Sequence, residues 1–395
     1  MSSKAVSEVT GARVRARTGT AVVVVGVVMF CGGVLVGASG SRPAEGAPSA
    51  SVLDQAEAKI QAGAEKPVDS ATLERAAVQG MLDALGDRWS AFYSPREFSS
   101  FTQALEGHYT GIGVWVRQST DGSTLVASVQ PTSPAARAGL RPGDVIVSIG
   151  GRSVTSESVA DVTGQLHGAA GSSVSIAFRR GGDIRTVTVQ RQTVQTGDVA
   201  VDRLPGGVLR ISVAAFSRGV GQTVAQALAE QPADHAHGVL LDLRDDPGGL
   251  VDEAVKVAGA FLDGGEVVSY QQRGSTHVLA AASGGDTTTP LVVLVDGGTA
   301  SAAEIVAAAL QDRDRAVIVG SRTFGKGSVQ EPTTLSDGSA IEFTVGRYLT
   351  PEGRSLDGTG VVPDVTVPSQ AADSVALGRG LDVLSGLAAG LSGGG

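Results

Sequence analysis

Length, composition and charge set the first limits on this protein. The chain has 395 residues, enough for two or three domains. Its net charge is −9 and it has no basic run outside the N-terminus, which argues against a nucleic-acid-binding surface. Cys31 is its only cysteine and its five histidines are scattered, so the sequence excludes a disulfide framework and predicts no metal site and no other cofactor.

The N-terminus carries a basic segment ahead of an apolar one. Residues 1–20 contain four lysines or arginines, and residues 21–38 form a charge-free apolar run near the lower length limit for a membrane-spanning helix. The basic flank predicts a cytoplasmic tail and a single-pass membrane anchor, with the rest of the chain outside the cytoplasm. A cleaved signal segment is the alternative, and it predicts a secreted protein. Residues 39–50, rich in Ser, Pro, Gly and Ala, predict a linker.

Residues 51–105 predict an N-terminal helical region. Two amphipathic segments cover 52–62 and 70–85, and Pro95 can start a short helix that ends near residue 105. Their apolar faces predict a packed core or a dimer surface, which leaves a homo-oligomer open. No chemistry is expected from this region.

Residues 106–192 have a different texture, with alternating apolar residues and frequent turns. The run S-P-A-A-R-A-G-L-R-P-G-D-V-I at 133–146 is strongly similar to a PDZ domain. A PDZ domain binds a peptide by adding it as a strand to a sheet edge, and exposed amides of a glycine turn can hold its terminal carboxylate. The resemblance implies that peptide binding involves Gly111, Ile112, Gly113 and Val114. The alternative is that these glycines only form a tight turn.

Residues 193–370 predict an α/β core. Strands are expected at 207–211 and 238–244, and helices at 220–230 and 252–262. The second strand runs into D-D-P-G-G at 245–249, a strong chain-turning signal. Residues 371–395 are expected to be a C-terminal tail that is weakly helical over 374–391.

The stretch from 291 to 330 carries the candidate chemistry. It predicts a buried strand at 291–295, a helix that follows Ser301, a second strand at 316–320 and a glycine-flanked loop with Lys326. A βαβ unit of this length can bring both loops to the same sheet edge. A serine needs a base to become a nucleophile, and burial among apolar neighbours lowers a lysine pKa enough for it to serve.

Two ordinary interpretations compete with this one. S-A-A-E at 301–304 is a good capping box for an apolar helix. The run G-S-R-T-F-G-K at 320–326 imitates a phosphate-binding loop, but Gly327 stands where that motif needs Ser or Thr, and a strand is predicted beyond the loop instead of a helix.

The two motifs together favour the nucleophile. T-A-S-A-A-E-I at 299–305 and F-G-K-G-S-V-Q at 324–330 are similar to the catalytic motifs of the carboxyl-terminal processing peptidases, the tail-specific serine proteases. This resemblance covers roughly 71–368. It implies a nucleophile at Ser301, a general base at Lys326 and a lysine-orienting amide at Gln330. It also implies a ClpP/crotonase-like α/β core with an inserted PDZ domain.

The glycine turn at 245–249 matches the same family, which usually has Asn where Asp246 stands. The resemblance implies an oxyanion hole built from the Ala302 N–H and the N–H of Gly248 or Gly249. The position of Ala302 agrees with this, because unpaired N–H groups and the helix dipole favour negative charge at a helix N-terminus.

The sequence therefore predicts a membrane-anchored, extracytoplasmic serine endopeptidase that binds C-terminal tails through its PDZ domain. A catalytically silent PDZ scaffold with a protease-like core is the alternative. A third possibility keeps the enzyme but makes the PDZ domain an inhibitory lid that substrate opens.

Overall fold

The computed structural model describes residues 51–119, 122–155, 157–230 and 238–392. The predicted cytoplasmic tail, membrane anchor and linker, residues 1–50, lie outside these ranges. Within them, no helix is both long enough and apolar enough to cross a bilayer.

The N-terminal region begins with helices whose first turns are capped by side chains. In chain order it contains α1 (Val52–Gly63), α2 (Ser70–Ala84), β1 (Ala91–Tyr93) and α3 (Pro95–Leu105). Ser94 caps α3 in a complete capping box with Glu97, and Pro95 occupies the first turn, where its missing N–H costs nothing.

The next region has the fold of a PDZ domain, and the strands that lead into and out of it pair with each other. Its elements are β2 (His108–Gly111), β3 (Val114–Gln118), β4 (Thr124–Val129), α4 (Pro134–Arg137), β5 (Val145–Ile149), β6 (Arg152–Ser153), α5 (Val159–Leu166), β7 (Ser173–Arg180), β8 (Asp183–Gln190) and β9 (Gln192–Gln195). The sheet order is β3-β4-β5-β7-β8, and β2 pairs antiparallel with β9. The PDZ domain is therefore an insertion whose entry and exit strands lie side by side.

The core follows as alternating strands and helices. It contains β10 (Val199–Leu204), β11 (Val208–Val213), α6 (Val220–Ala229), β12 (Val239–Asp242), α7 (Val251–Gly259), β13 (Gly265–Gln272), β14 (Ser275–Ala281), β15 (Leu291–Val295), α8 (Ala302–Asp312), β16 (Val317–Gly320), β17 (Ser328–Thr334), β18 (Ala340–Leu349), β19 (Val365–Thr366) and α9 (Asp373–Ser392).

One sheet of the core is almost entirely parallel and is covered on both faces. Its order is β10-β11-β12-β15-β16-β19, and only β10 runs antiparallel to its neighbour. All five residues of β15 are buried, as expected for a strand with helices on both sides. Leu291, Val293 and Val295 face the cluster that contains α7 and α8, whereas Val292 and Leu294 face α9.

The C-terminal segment differs from the predicted tail. Helix α9 packs on the free face of the parallel sheet, and Leu384 on it is fully buried. Gly380 lies against the side chains of Leu240 and Leu294, which leave almost no space for a Cβ at that position. The sequence did not predict this packing, because α9 is apolar on more than one side and contains several glycines, so no single face stands out.

A second, antiparallel sheet brings distant parts of the chain together. Its order is β1-β18-β13-β14, and β17 pairs with β18. The short strand β1 pairs with the start of β18, so that Phe92 lies opposite Ile341. The region predicted as only helical thus supplies one strand of this second sheet.

Candidate active site

Ser301 lies at the turn from β15 into α8, on a strained backbone. Its φ of 55° and ψ of −115° fall in a region that residues with a Cβ rarely occupy. A strained strand-to-helix turn of this kind is known to present a serine nucleophile. The residue is fully buried, and its Oγ has no hydrogen-bond partner. A serine that served only as a helix cap would use that oxygen.

Glu304 ties the serine turn to the lysine loop. This carboxylate is fully buried, and its burial raises its pKa. It accepts hydrogen bonds from Ser301 N (2.9 Å), Lys326 N (2.9 Å), Gly325 N (2.8 Å) and Thr323 Oγ1 (2.5 Å). The glutamate half of the predicted capping box is therefore present, since Glu304 accepts from Ser301 N. The same carboxylate also holds the backbone of Lys326, the candidate base.

The glycine turn after β12 lies directly against Ser301. A Cβ on Gly248 would be 2.9 Å from Ala302 N and 2.9 Å from Ser301 Cβ, so only glycine fits. Gly248 has a φ of 98° and Gly249 a φ of 148°, both in the region that favours glycine. The Gly248 N–H donates to Asp246 Oδ1 at 2.8 Å. The predicted oxyanion residues are thus brought together beside the serine.

Lys326 is buried and its pKa is shifted towards neutrality. Only 2% of the residue is exposed, and Nζ lies 4.9 Å from the centre of the Trp89 ring. Burial lowers its pKa to about 8, against the opposing effect of the Glu342, Asp87 and Glu304 carboxylates. About a tenth of the amine is therefore neutral at pH 7, several hundred times more than for an ordinary lysine.

Gln330 makes different contacts from those the family resemblance implies. Its Nε2 donates to Ser328 Oγ at 2.7 Å and to Thr344 Oγ1 at 3.1 Å, while its Oε1 has no partner. Its amide oxygen therefore does not bind Lys326 in this conformation, because β17 turns the amide group towards β18.

The sequence interpretation missed the residues that surround the lysine. Asp87 accepts hydrogen bonds from Trp89 N (3.0 Å), Ser90 Oγ (2.9 Å) and Thr344 N (2.8 Å). Tyr93 donates its hydroxyl to the fully buried Glu342 at 2.6 Å. The available signal was the aromatic and acidic composition of the segment around Trp89.

The predicted peptide-binding residues run from the end of β2, which pairs with β9, to the start of the edge strand β3. Gly111 ends β2 and Val114 begins β3, while Ile112 between them is buried. Gly113 has a φ of 82°, and a Cβ there would lie only 2.2 Å from Ser133 Cβ. Among the residues that the structure describes, β3 pairs with β4 alone, so its other edge can accept an added peptide strand.

Comparison with known proteins agrees with this geometry. The model of peptidase family S41 matches residues 207–367, and a PDZ-domain model matches residues 125–180. The chain is 31% identical over 306 residues to a probable CtpA-like serine protease of Staphylococcus aureus (strain COL), covering 76% of this chain. It spans 61% of the length of that relative.

Solved structures show the same likeness. The photosystem II D1 C-terminal processing protease is 32% identical, with a TM-score of 0.51, over 84% of this chain and 90% of that one. A putative S41 protease from Bacteroides fragilis is 16% identical with a TM-score of 0.52, over 88% of this chain and 100% of that one, a likeness in fold alone. Fold and matches define a peptidase-type core that carries a PDZ domain. The chain belongs to peptidase family S41, which confirms the resemblance seen in its motifs.

Proposed function

We propose that this chain is an extracytoplasmic serine endopeptidase that binds C-terminal tails through its PDZ domain and cleaves with Ser301 and Lys326. One observation carries the proposal. A buried serine with an unused hydroxyl, on a strained strand-to-helix turn, is tied through Glu304 to a loop that holds a lysine of pKa about 8. The match to peptidase family S41 and the likeness to the D1 C-terminal processing protease support the choice of reaction and substrate class.

In this mechanism neutral Lys326 takes the proton of the Ser301 hydroxyl. The oxygen attacks the peptide carbonyl carbon, and the carbonyl electron pair moves onto its oxygen. The Ala302 N–H and the glycine turn stabilise that oxyanion. Because the Gly248 N–H already donates to Asp246, Gly249 is the better candidate for the second donor. The lysine ammonium then protonates the leaving amine, and a water deprotonated by the lysine releases the acyl group.

The hydroxyl of Ser301 has no partner in the present conformation, so it makes no hydrogen bond to Lys326. Catalytic hydrogen bonds are often unmade before substrate binds. This supports a latent enzyme in which a bound tail completes the dyad, with Gln330 then turning towards the lysine. The ClpP/crotonase-like character of the core and the membrane anchor at 21–38 are part of the same proposal.

The test is cleavage of an unfolded protein with an apolar C-terminus by the full chain. Cleavage should vanish in Ser301→Ala. It should persist in Ser51→Ala, which removes the serine cap of α1 far from the site and so controls for the loss of a helix cap. Equal cleavage by the native chain and Ser301→Ala would make Ser301 a structural residue. Silence of the native chain towards several tails would favour the PDZ scaffold.

A further inference from the structure

Asp246 is a buried carboxyl group in the middle of the glycine turn. The residue is fully buried, and its Oδ2 has no hydrogen-bond partner. No cation within the described ranges forms an ion pair with it. An ionised carboxylate in such a place would be costly, because it has lost water and gained no compensating charge.

The backbone and side chain of Asp246 hold the two parts of the oxyanion site together. Its carbonyl oxygen accepts from Ala300 N at 2.8 Å, just before Ser301. Its Oδ1 accepts from Gly248 N at 2.8 Å. Asp246 therefore contacts Gly248, one residue before Gly249, through its side chain, and Ala300, two residues before Ala302, through its backbone.

The charged groups around Asp246 add to the case for a neutral acid. Asp198, held by hydrogen bonds from Thr196 and Ser217, is the carboxylate that acts on it, and it opposes ionisation. On the other side of the turn, Arg244 is paired with Asp242, and Asp245 is exposed and influenced by Asp296. Burial raises the pKa of Asp246 well above its ordinary value; the Gly248 N–H opposes this rise and the Asp198 charge adds to it.

We propose that Asp246 is a positioning residue that holds the oxyanion turn as a neutral carboxylic acid, and that its ionisation switches the turn off. This proposal rests on the proposed peptidase function. A negative charge beside the turn would oppose the negative charge that develops on the carbonyl oxygen in the transition state. Asparagine has the same shape and cannot ionise, so it should retain the positioning and lose the switch.

The activity test measures kcat/KM of the full chain against pH. Deprotonation of Lys326 makes activity rise through about pH 8, so a fall at higher pH must come from a second group. The native chain should show that fall, at about tenfold per pH unit beyond the transition. Asp246→Asn should keep its activity there, and Asp246→Ala should be weak at every pH because Gly248 loses its acceptor. The control Asp245→Asn, an exposed neighbour, should retain the native profile. A falling limb that is unchanged in Asp246→Asn would overturn the proposal.

A second test does not depend on activity. A carboxyl whose pKa is raised on folding costs more and more stability as the pH rises from its unfolded pKa, near 4, to its folded pKa, and the cost stays constant above that. Asp246→Asn should therefore match the thermal midpoint of the native chain at pH 4 and exceed it increasingly towards pH 8. Asp382→Asn, an exposed control on α9, should show no such trend. A difference in thermal midpoint that does not change with pH would contradict a neutral Asp246. If no variant cleaves any tail but the pH-dependent difference appears, the peptidase proposal fails while the neutral acid stands.

Discussion

The turn around Ser301 and the surroundings of Lys326 lie close in space but come from different parts of the chain. The serine turn is local: β15 leads into it, α8 leads out of it, and Glu304 braces it from one helical turn away. The lysine surroundings come from Trp89 in the N-terminal region and Glu342 on β18. The turn that holds the proposed nucleophile is therefore built by neighbouring sequence, whereas the pKa of the lysine is set by residues far along the chain.

The largest expected effect comes from removing the proposed base, Lys326. Lys326→Ala should lower kcat/KM at pH 8 by at least about 10³-fold, because no other described amine replaces it beside the serine turn. Steady-state cleavage of the tail substrate measures this, with Lys59→Ala on exposed α1 as the matched control. Retention of more than a tenth of native activity would remove Lys326 from the mechanism.

The next largest effect comes from breaking the contact of Glu304 with both the serine turn and the lysine loop. Glu304→Gln keeps the size of the side chain but turns one acceptor oxygen into a donor that faces N–H groups. We expect a loss of about 2–4 kcal/mol in the free energy of unfolding and a marked fall in kcat. Urea unfolding and kinetics measure both, with exposed Glu352→Gln as the control. Native stability in Glu304→Gln would show that the serine and lysine segments are held together by other contacts.

A smaller effect would isolate the contribution of Glu342 to the pKa of Lys326. The Glu342 carboxylate opposes the neutral form of Lys326, so Glu342→Gln should lower the lysine pKa and move the rising limb of activity below pH 8. At pH 7 the gain should be several-fold. The pH profile of kcat/KM measures it, with exposed Glu230→Gln alongside. If activity instead rises at a higher pH than in the native chain, the main effect of Glu342 is to keep Lys326 buried through its contact with Tyr93.

The smallest effect concerns the PDZ domain. A tail substrate ending in a C-terminal amide should show a KM roughly tenfold above that of the free acid, with little change in kcat, because only the carboxylate contact is lost. A short peptide that cannot reach both sites serves as the control and should be insensitive to amidation. Equal KM values for the acid and the amide would mean that the turn at Gly111–Gly113 does not bind the terminus.

The difference between local and distant contacts also explains which features the sequence could predict. The strand before Ser301, the helix after it and the glycine turn were predictable, because apolar periodicity, capping and glycine signals are local. The pairing of β1 with β18 was not, since three residues carry no recognisable strand pattern and their partners lie far along the chain. The strand that carries Gln330 was not predicted, and the direction of the Gln330 side chain depends on Thr344 across the sheet. The packing of α9 depends on a sheet face that is only visible once the core is assembled.

The hydrogen bond between Tyr93 and Glu342 joins residues 249 positions apart. During synthesis the N-terminal partner leaves the ribosome long before β18 exists. A nascent chain thus carries its serine turn, and later its lysine loop, without the sheet that buries the lysine amine. In that interval we expect the amine to be hydrated, charged and unable to accept a proton. If the proposed peptidase activity is correct, completion of the fold keeps an unfinished chain from cutting itself or its neighbours.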